Sequence, residues 1–142
     1  MRKIEIKNRK ETDVTDEALY ALNKESHRMW TEQGLDAPWM HLTFPEFQQA
    51  IRGVPMFVAL DAETGELLGM HSFRTHRKEG WCYGYRLAIA SSARREGIAS
   101  RMLTYEAERS FAVCVFWSPM PLPASRRIPM AKTTFWGAWA EK

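Results

Sequence analysis

Between Trp81 and Arg109 the chain passes from the period of a strand to the period of a helix, and this junction constrains the fold more than any other segment. Trp81 to Ala90 alternates, with Trp81, Tyr83, Tyr85, Leu87 and Ile89 on one face and Cys82, Gly84, Arg86, Ala88 and Ala90 on the other. Ser91-Ser92-Ala93 breaks the strand. A helix from Gly97 to about Arg109 follows, offering Ile98, Met102, Leu103 and Ala107 to the core and its charged groups elsewhere. A helix that starts this abruptly leaves its first N–H groups without intrahelical partners, and its dipole adds positive potential there. Gly97 lets backbone approach a ligand closely, Ala99 keeps the next contact small, and Arg94 and Arg95 bring positive charge. That chemistry suits a diphosphate.

The rest of the chain has the size and composition of one folded domain. Its 142 residues are 45% hydrophobic with a mean hydropathy of -0.41, enough for a core but with no apolar run near the roughly 20 residues of a membrane helix. Met1-Arg2-Lys3-Ile4-Glu5 lacks the apolar stretch of a signal peptide, so the expected location is the cytoplasm. Cys82 and Cys114 are too few for a disulfide framework, and no residues show metal-ligand spacing, so both are expected to be buried thiols and no metal is expected. The net charge of +3 is unevenly placed. Residues 111–142 hold Arg126, Arg127, Lys132 and Lys142 against Glu141, whereas residues 1–110 balance 16 basic against 16 acidic side chains. A nucleic-acid surface would show its basic excess in the folded body, so none is expected.

Upstream, Lys3 to Lys7 alternates as a half-buried strand. Ala18, Leu19, Leu22, Met29 and Trp30 then recur at helical steps until Gly34, with Asp13 or Thr15 as N-cap. Thr43-Phe44-Pro45-Glu46 reads as a capping box opening a short helix whose apolar face is Phe44, Phe47 and Ile51, closed by Gly53 and Pro55. Phe57 to Leu60 and Leu67 to Met70, separated by the polar loop Asp61 to Glu66, make an antiparallel hairpin, and Arg77 to Gly80 is the next turn. The order is strand, helix, helix, three strands, helix, a mixed α/β layout.

A P-loop would need Gly-x-x-x-x-Gly-Lys and a dinucleotide fold three spaced glycines, and neither string occurs. Instead, Leu87-Ala88-Ile89-Ala90, the turn Arg94 to Ala99 and the helix Ser100-Arg101-Met102-Leu103 together resemble the acyl-coenzyme A motif of the GNAT N-acetyltransferase superfamily. The upstream order, with Leu67-Leu68-Gly69 in its hairpin, extends the resemblance over about residues 3–110. It implies a GNAT-like α/β fold: a twisted, mostly antiparallel sheet flanked by helices, whose strand Trp81–Ala90 splays from its neighbour. It implies acetyl-CoA as acyl donor and an amine as acceptor, with a backbone amide serving the oxyanion. The coenzyme-binding residues would be Leu87, Ala88 and Ile89 along the pantetheine, then Arg94, Arg95, Glu96, Gly97, Ile98, Ala99 and Ser100 at the pyrophosphate.

Two parts follow: a GNAT-like core, residues 1–110, and an atypical basic tail rich in Pro and Trp, residues 111–142. Phe111 to Trp117 can supply a fifth strand and Thr133 to Trp136 a short further one, but Pro119, Pro121, Pro123 and Pro129 forbid a long helix between. The tail contains no Tyr, Asn, Gln, Asp or His, so the tyrosine that protonates the leaving thiolate in the family is missing. We read this part as a truncated or out-of-frame replacement of the family's C-terminal third. No catalytic residue is assigned; Glu79, Tyr83, Tyr85 and His71 are the candidates, and His27, His41 and His76 could also titrate as a base. Arg86 reads as a charge at the sheet edge, and Trp30, Trp39 and Phe47 as packing residues that could shape the acceptor pocket. Acceptor choice is expected to lie in Ser26–Arg52, and a sheet edge near Phe111 leaves room for a homodimer. The competing functions are a catalytically impaired fragment that binds coenzyme A and a non-enzymatic interaction module acting through the tail.

Overall fold

A computed structural model describes residues 2–76, 81–109 and 114–117. The expected turn at Arg77–Gly80 with Glu79, the first residues of the fifth strand and nearly all of the tail lie outside these residues. So do the side chains of Trp39, His76, Cys82, Tyr83 and Cys114.

The elements are β1 (Ile4–Asn8), α1 (Asp16–Glu32), α2 (Phe44–Ile51), β2 (Met56–Asp61), β3 (Leu67–His76), β4 (Trp81–Ile89), α3 (Ile98–Arg109) and β5 (Cys114–Trp117). They form one sheet in sequential order, with β1 to β4 antiparallel and β5 parallel to β4. The parallel pair follows from α3, which carries the chain back past the sheet before β5 begins. Among the described residues, no helix is long and apolar enough to cross a membrane.

Local chemistry sets most boundaries. The Thr15 hydroxyl accepts from the Ala18 N–H at 3.1 Å and caps α1, so Thr15 rather than Asp13 is the N-cap. The capping box of α2 is reciprocal: Thr43 Oγ1 accepts from the Glu46 N–H, and Glu46 Oε1 accepts from the Thr43 N–H at 3.1 Å. In the hairpin loop, the Asp61 carboxylate accepts from the N–H groups of Glu63 (2.8 Å) and Thr64 (3.2 Å), which lowers its pKa.

The two sheet faces are distinguished by what each residue meets. A Cβ on Gly69 would lie 3.2 Å from Met102 Sδ, so Gly69 faces α3, and its register partners Ala59 and Ile89 share that face. The same glycine would bring its Cβ within 2.9 Å of Ile89 Cδ1; its small size lets α3 lie close on the sheet. Phe57, His71 and Leu87 form the next row on this side, with Tyr105 of α3 edge-on to Phe57. Val58, Met70 and Ala88 form a buried row on the opposite face, toward Leu19 and Leu22 of α1 and Phe47 and Ile51 of α2. Phe47 is thus a core residue, 0% exposed, whereas Trp30 is 40% exposed.

Two details depart from the pattern in the sequence. Ser72 pairs with Arg86 but Phe73 pairs with Gly84, so Tyr85 is an extra residue, a β-bulge, and the alternation of β4 inverts there. Gly84 therefore shares a side with Leu87 and not with Arg86. In α3, Ala107 is only partly buried, and its place in the core is taken by Glu106, 1% exposed.

Candidate functional site

Past Ala90, whose N–H closes the pairing of β4 by donating to the Leu68 carbonyl at 2.8 Å, the chain makes a single 3-10 turn over Ser91–Ala93 and then the sharp bend into α3. Arg95 has φ +64° and Gly97 φ +75°, the left-handed region. Arg95 tolerates it at a cost; glycine does not pay one. Alternating backbone hand turns successive N–H groups to one side, the arrangement that cradles anions. Among the described residues, the N–H groups of Arg95, Glu96 and Gly97 donate no hydrogen bond, and a Cβ built at Gly97 would meet nothing within 4 Å. Ile98 then begins a helix of 12 residues whose dipole is positive at this end.

The strand leading into the turn is open on one side. β5 pairs with Cys82, Tyr83 and Gly84 only. From Arg86 to Ile89, the edge of β4 that faces β5 has no strand partner among the described residues. The bulge at Tyr85 lies immediately past the last described β4–β5 pair, Gly84 with Trp117. Leu87, Ala88 and Ile89 thus lie on an open backbone edge that runs directly into the turn.

Contacts from α1 hold this turn, and the sequence offered no sign of them because they span more than 60 residues. The Glu25 carboxylate accepts from the Ser91 N–H at 2.7 Å and from the Ser91 hydroxyl. Those two hydrogen bonds lower the Glu25 pKa against the opposing effect of burial, with smaller help from Arg94 and Arg28. Arg94 turns back as well: Nε donates to the Ile89 carbonyl at 3.4 Å and Nη1 lies 3.0 Å from Met29 Sδ. Arg94 thereby braces the turn against α1, while Arg95 stays exposed. Glu96 is 3.8 Å from Arg2.

The depressed Glu25 pKa has a defined sign. Its stabilisation is complete above the ordinary glutamate value of about 4.3 and is lost as the pH falls through the lowered one. The unfolding free energies of the wild type and Glu25→Gln, read from urea titrations, should therefore differ at pH 6, by about 1 kcal/mol, and the gap should narrow as the pH is lowered below the ordinary glutamate value. A pH-independent gap would remove the tether from the account.

The remaining candidates scatter. Tyr85 is 40% exposed on the bulge, with the Arg74 guanidinium over its ring at 5.3 Å. His71 lies on the α3 side, 1% exposed, its Nδ1 paired with a Glu106 carboxylate oxygen beneath the helix. His41 is exposed and paired with Asp36. His27 is half-buried on α1; burial lowers its pKa, the Met40 backbone opposes this by hydrogen bonding, and the charges of Arg86 and His41 lower it further. Arg86, expected as a charge at the sheet edge, is half-buried, and burial lowers its pKa. A depression of about 510 Å³ lined by Asn8, Arg9, Asp16, Gln48 and Met56 lies at the opposite end of β1 and β2 from the turn. Among the described residues, no three His, Cys, Asp or Glu side chains gather as a metal site.

Residues 17–120 match the family described as Acetyltransferase (GNAT) family, and the chain belongs to that family. Solved structures of similar fold include a GNAT acetyltransferase from Staphylococcus aureus, with a TM-score of 0.56 and 11% identity over 75% of this chain and 65% of that one. A GNAT acetyltransferase from Brucella melitensis in complex with acetyl-CoA gives 0.52 and 15% over 77% and 69%. The N-acetylglutamate synthase from Neisseria gonorrhoeae, complexed with coenzyme A and N-acetyl-glutamate, gives 0.51 and 18%; this chain spans 77% of its own length but only 23% of that enzyme's. Comparison with curated proteins finds no match.

Proposed function

We propose that this protein is an N-acetyltransferase that moves the acetyl group of acetyl-CoA to a primary amine. The observation that carries the reading is the continuity of two features among the described residues: the edge of β4 from Leu87 to Ile89, which has no strand partner, and the turn beyond it, where the N–H groups of Arg95, Glu96 and Gly97 donate no hydrogen bond. The pantetheine arm, a chain of amides, would pair along Leu87, Ala88 and Ile89 as a strand does. The pyrophosphate would sit at Arg94 to Ser100, where N–H groups and the helix dipole meet its charge. The residues fit both halves of the ligand, because among the described residues neither the edge at Leu87 to Ile89 nor the turn at Arg95 to Gly97 has its outward donors satisfied internally.

In the reaction the amine nitrogen attacks the thioester carbonyl, the C–S bond breaks as the amide C–N bond forms, and the proton lost by the amine ends on solvent or on the thiolate. A backbone N–H of the open β4 edge is suited to the oxyanion that develops. Of the proton-transfer candidates, Tyr85 has an exposed side chain on this strand and His71 does not. The acceptor would approach from the side of α1 and the segment Ser26–Arg52.

The test is thiol release from acetyl-CoA by the purified full chain with a panel of amines, beside a calorimetric titration of coenzyme A. Saturable binding and amine-dependent release are expected. Binding without release for any amine would overturn the transferase reading in favour of a binding protein. Absence of binding would overturn both.

A further inference from the structure

The coenzyme reading needs the N–H groups of Arg95, Glu96 and Gly97 to converge on one anion, so the shape of the segment that carries them matters. Its own backbone supplies the 3-10 turn over Ser91–Ala93, where the Ala93 N–H donates to the Ala90 carbonyl at 2.9 Å. Ala93 and Ile98 are buried, but Ser91, Ser92, Arg95, Glu96 and Gly97 are exposed. Support from outside enters at Ser91. Its N–H, at 2.7 Å, and its hydroxyl both donate to the same oxygen, Oε1 of Glu25, 66 residues earlier in the chain. One acceptor that holds two donors of one residue fixes its side-chain rotamer together with its backbone.

The place of Glu25 does not depend on this contact. α1 is seated by Leu19 and Leu22, 0% and 4% exposed, and by the buried Asn23 and Ser26. Met29, one helical turn further on the same face, meets Arg94 Nη1 at 3.0 Å, so successive turns of α1 grip the segment at both Ser91 and Arg94. Nor does the charge of Glu25 serve attraction, since a carboxylate bordering a pyrophosphate site repels the ligand. What the carboxylate supplies is a strong acceptor for two donors. A set of backbone N–H groups binds an anion tightly when its geometry is in place beforehand, because ordering a loose loop on binding consumes affinity.

We propose that Glu25 is a positioning residue for the coenzyme: through Ser91 it holds the turn in the shape in which the N–H groups of Arg95, Glu96 and Gly97 meet the pyrophosphate. Glu25 itself does not touch the ligand. This role rests on the coenzyme reading of the turn, and it makes α1 a determinant of coenzyme affinity. Losing Glu25 then penalises the diphosphate half of the coenzyme and spares the pantetheine half, which pairs along Leu87, Ala88 and Ile89. The thioester is remote from the tether, so the loss falls on KM and not on kcat.

The experiment titrates the full-length wild type, Glu25→Ala and Glu25→Gln with coenzyme A and with pantetheine, which lacks the diphosphate. Alanine is a strong helix former, so Glu25→Ala should keep α1, as circular dichroism checks. It should bind coenzyme A about tenfold more weakly and pantetheine as the wild type does. Glu25→Gln keeps an oxygen that accepts from Ser91 and should recover most of the affinity; a purely electrostatic role would instead make both variants bind more tightly than the wild type. Where acetyl transfer is measured, KM for acetyl-CoA should rise in Glu25→Ala with kcat unchanged. The readout independent of any ligand is amide hydrogen exchange, which should quicken in Glu25→Ala over residues 91–97 and not in the sheet. Unchanged exchange there, equal coenzyme A affinity in wild type and Glu25→Ala, or equal losses for coenzyme A and pantetheine overturn the positioning role and leave the coenzyme site standing. A wild type that binds no coenzyme A overturns the coenzyme reading and this role with it.

Discussion

Replacing Gly97 by glutamate should weaken coenzyme A binding by about 100-fold, close to 2.7 kcal/mol. Two effects combine. Gly97 has φ +75°, and any L-residue there costs roughly 1 to 2 kcal/mol unless the turn rearranges. The new carboxylate also stands beside the N–H groups proposed to meet the pyrophosphate. Like charges about 6 Å apart at an effective dielectric constant near 20 repel by roughly 3 kcal/mol before salt screening reduces it. Gly97→Ala separates the two, because it keeps the strain without the charge and should lose only about tenfold. Nothing lies within 4 Å of a Cβ at this position, so neither variant is blocked by packing, and circular dichroism should show both folded. Equal calorimetric affinities in wild type and Gly97→Glu would remove the turn from the coenzyme site.

Cutting the pair His71–Glu106 should destabilise the protein by about 3 to 5 kcal/mol, because removing one member strands a polar group that water cannot reach. Both side chains are 2% exposed or less, between the centre of the sheet and the inner face of α3. For a chain of this size that is roughly a 10 °C fall in Tm. His71→Leu and Glu106→Leu should each show it in thermal denaturation, while the double variant recovers much of the loss, since two apolar side chains can satisfy each other where one polar orphan cannot. A double variant as unstable as the sum of the singles would mean that the two residues do not act as a pair. The pair binds β3 to the helix that carries the proposed pyrophosphate turn, so coenzyme affinity should fall with stability in the single variants.

Glu106 also shows where reading the sequence stops. Ile98, Met102 and position 106 recur every four residues and lie on one helical stripe, so the periodicity was there, but its third occupant is charged. Charge alone directed the reading to Ala107. The compensating signal, a histidine in the middle of an apolar strand, is visible only when β3 and α3 are known to cross at that point. Gly84 falls on the opposite face from the one expected for the related reason that a strict alternation cannot anticipate an inserted residue. The bulge at Tyr85 is a matter of register between two strands, and register is a property of the pair. By contrast, the capping box at Thr43, the cap at Thr15 and the hairpin loop closed by Asp61 were legible because donor and acceptor lie within three residues of each other.

The junction between Trp81 and Arg109 divides in the same way. The sequence by itself determined its strand, its turn and its helix, and the resemblance drawn from them agrees with the family to which the chain belongs. Those features are local: a glycine where φ is positive, a break of three small residues, a change of hydrophobic period. Only the tertiary structure decided that Glu25 and Arg94 brace the turn against α1, that β4 carries a bulge at Tyr85, and that Arg86 lies across from Ser72 on the side of the sheet away from α3. Each of these depends on contacts between segments far apart in the chain, and such contacts have no signature in the order of neighbouring residues.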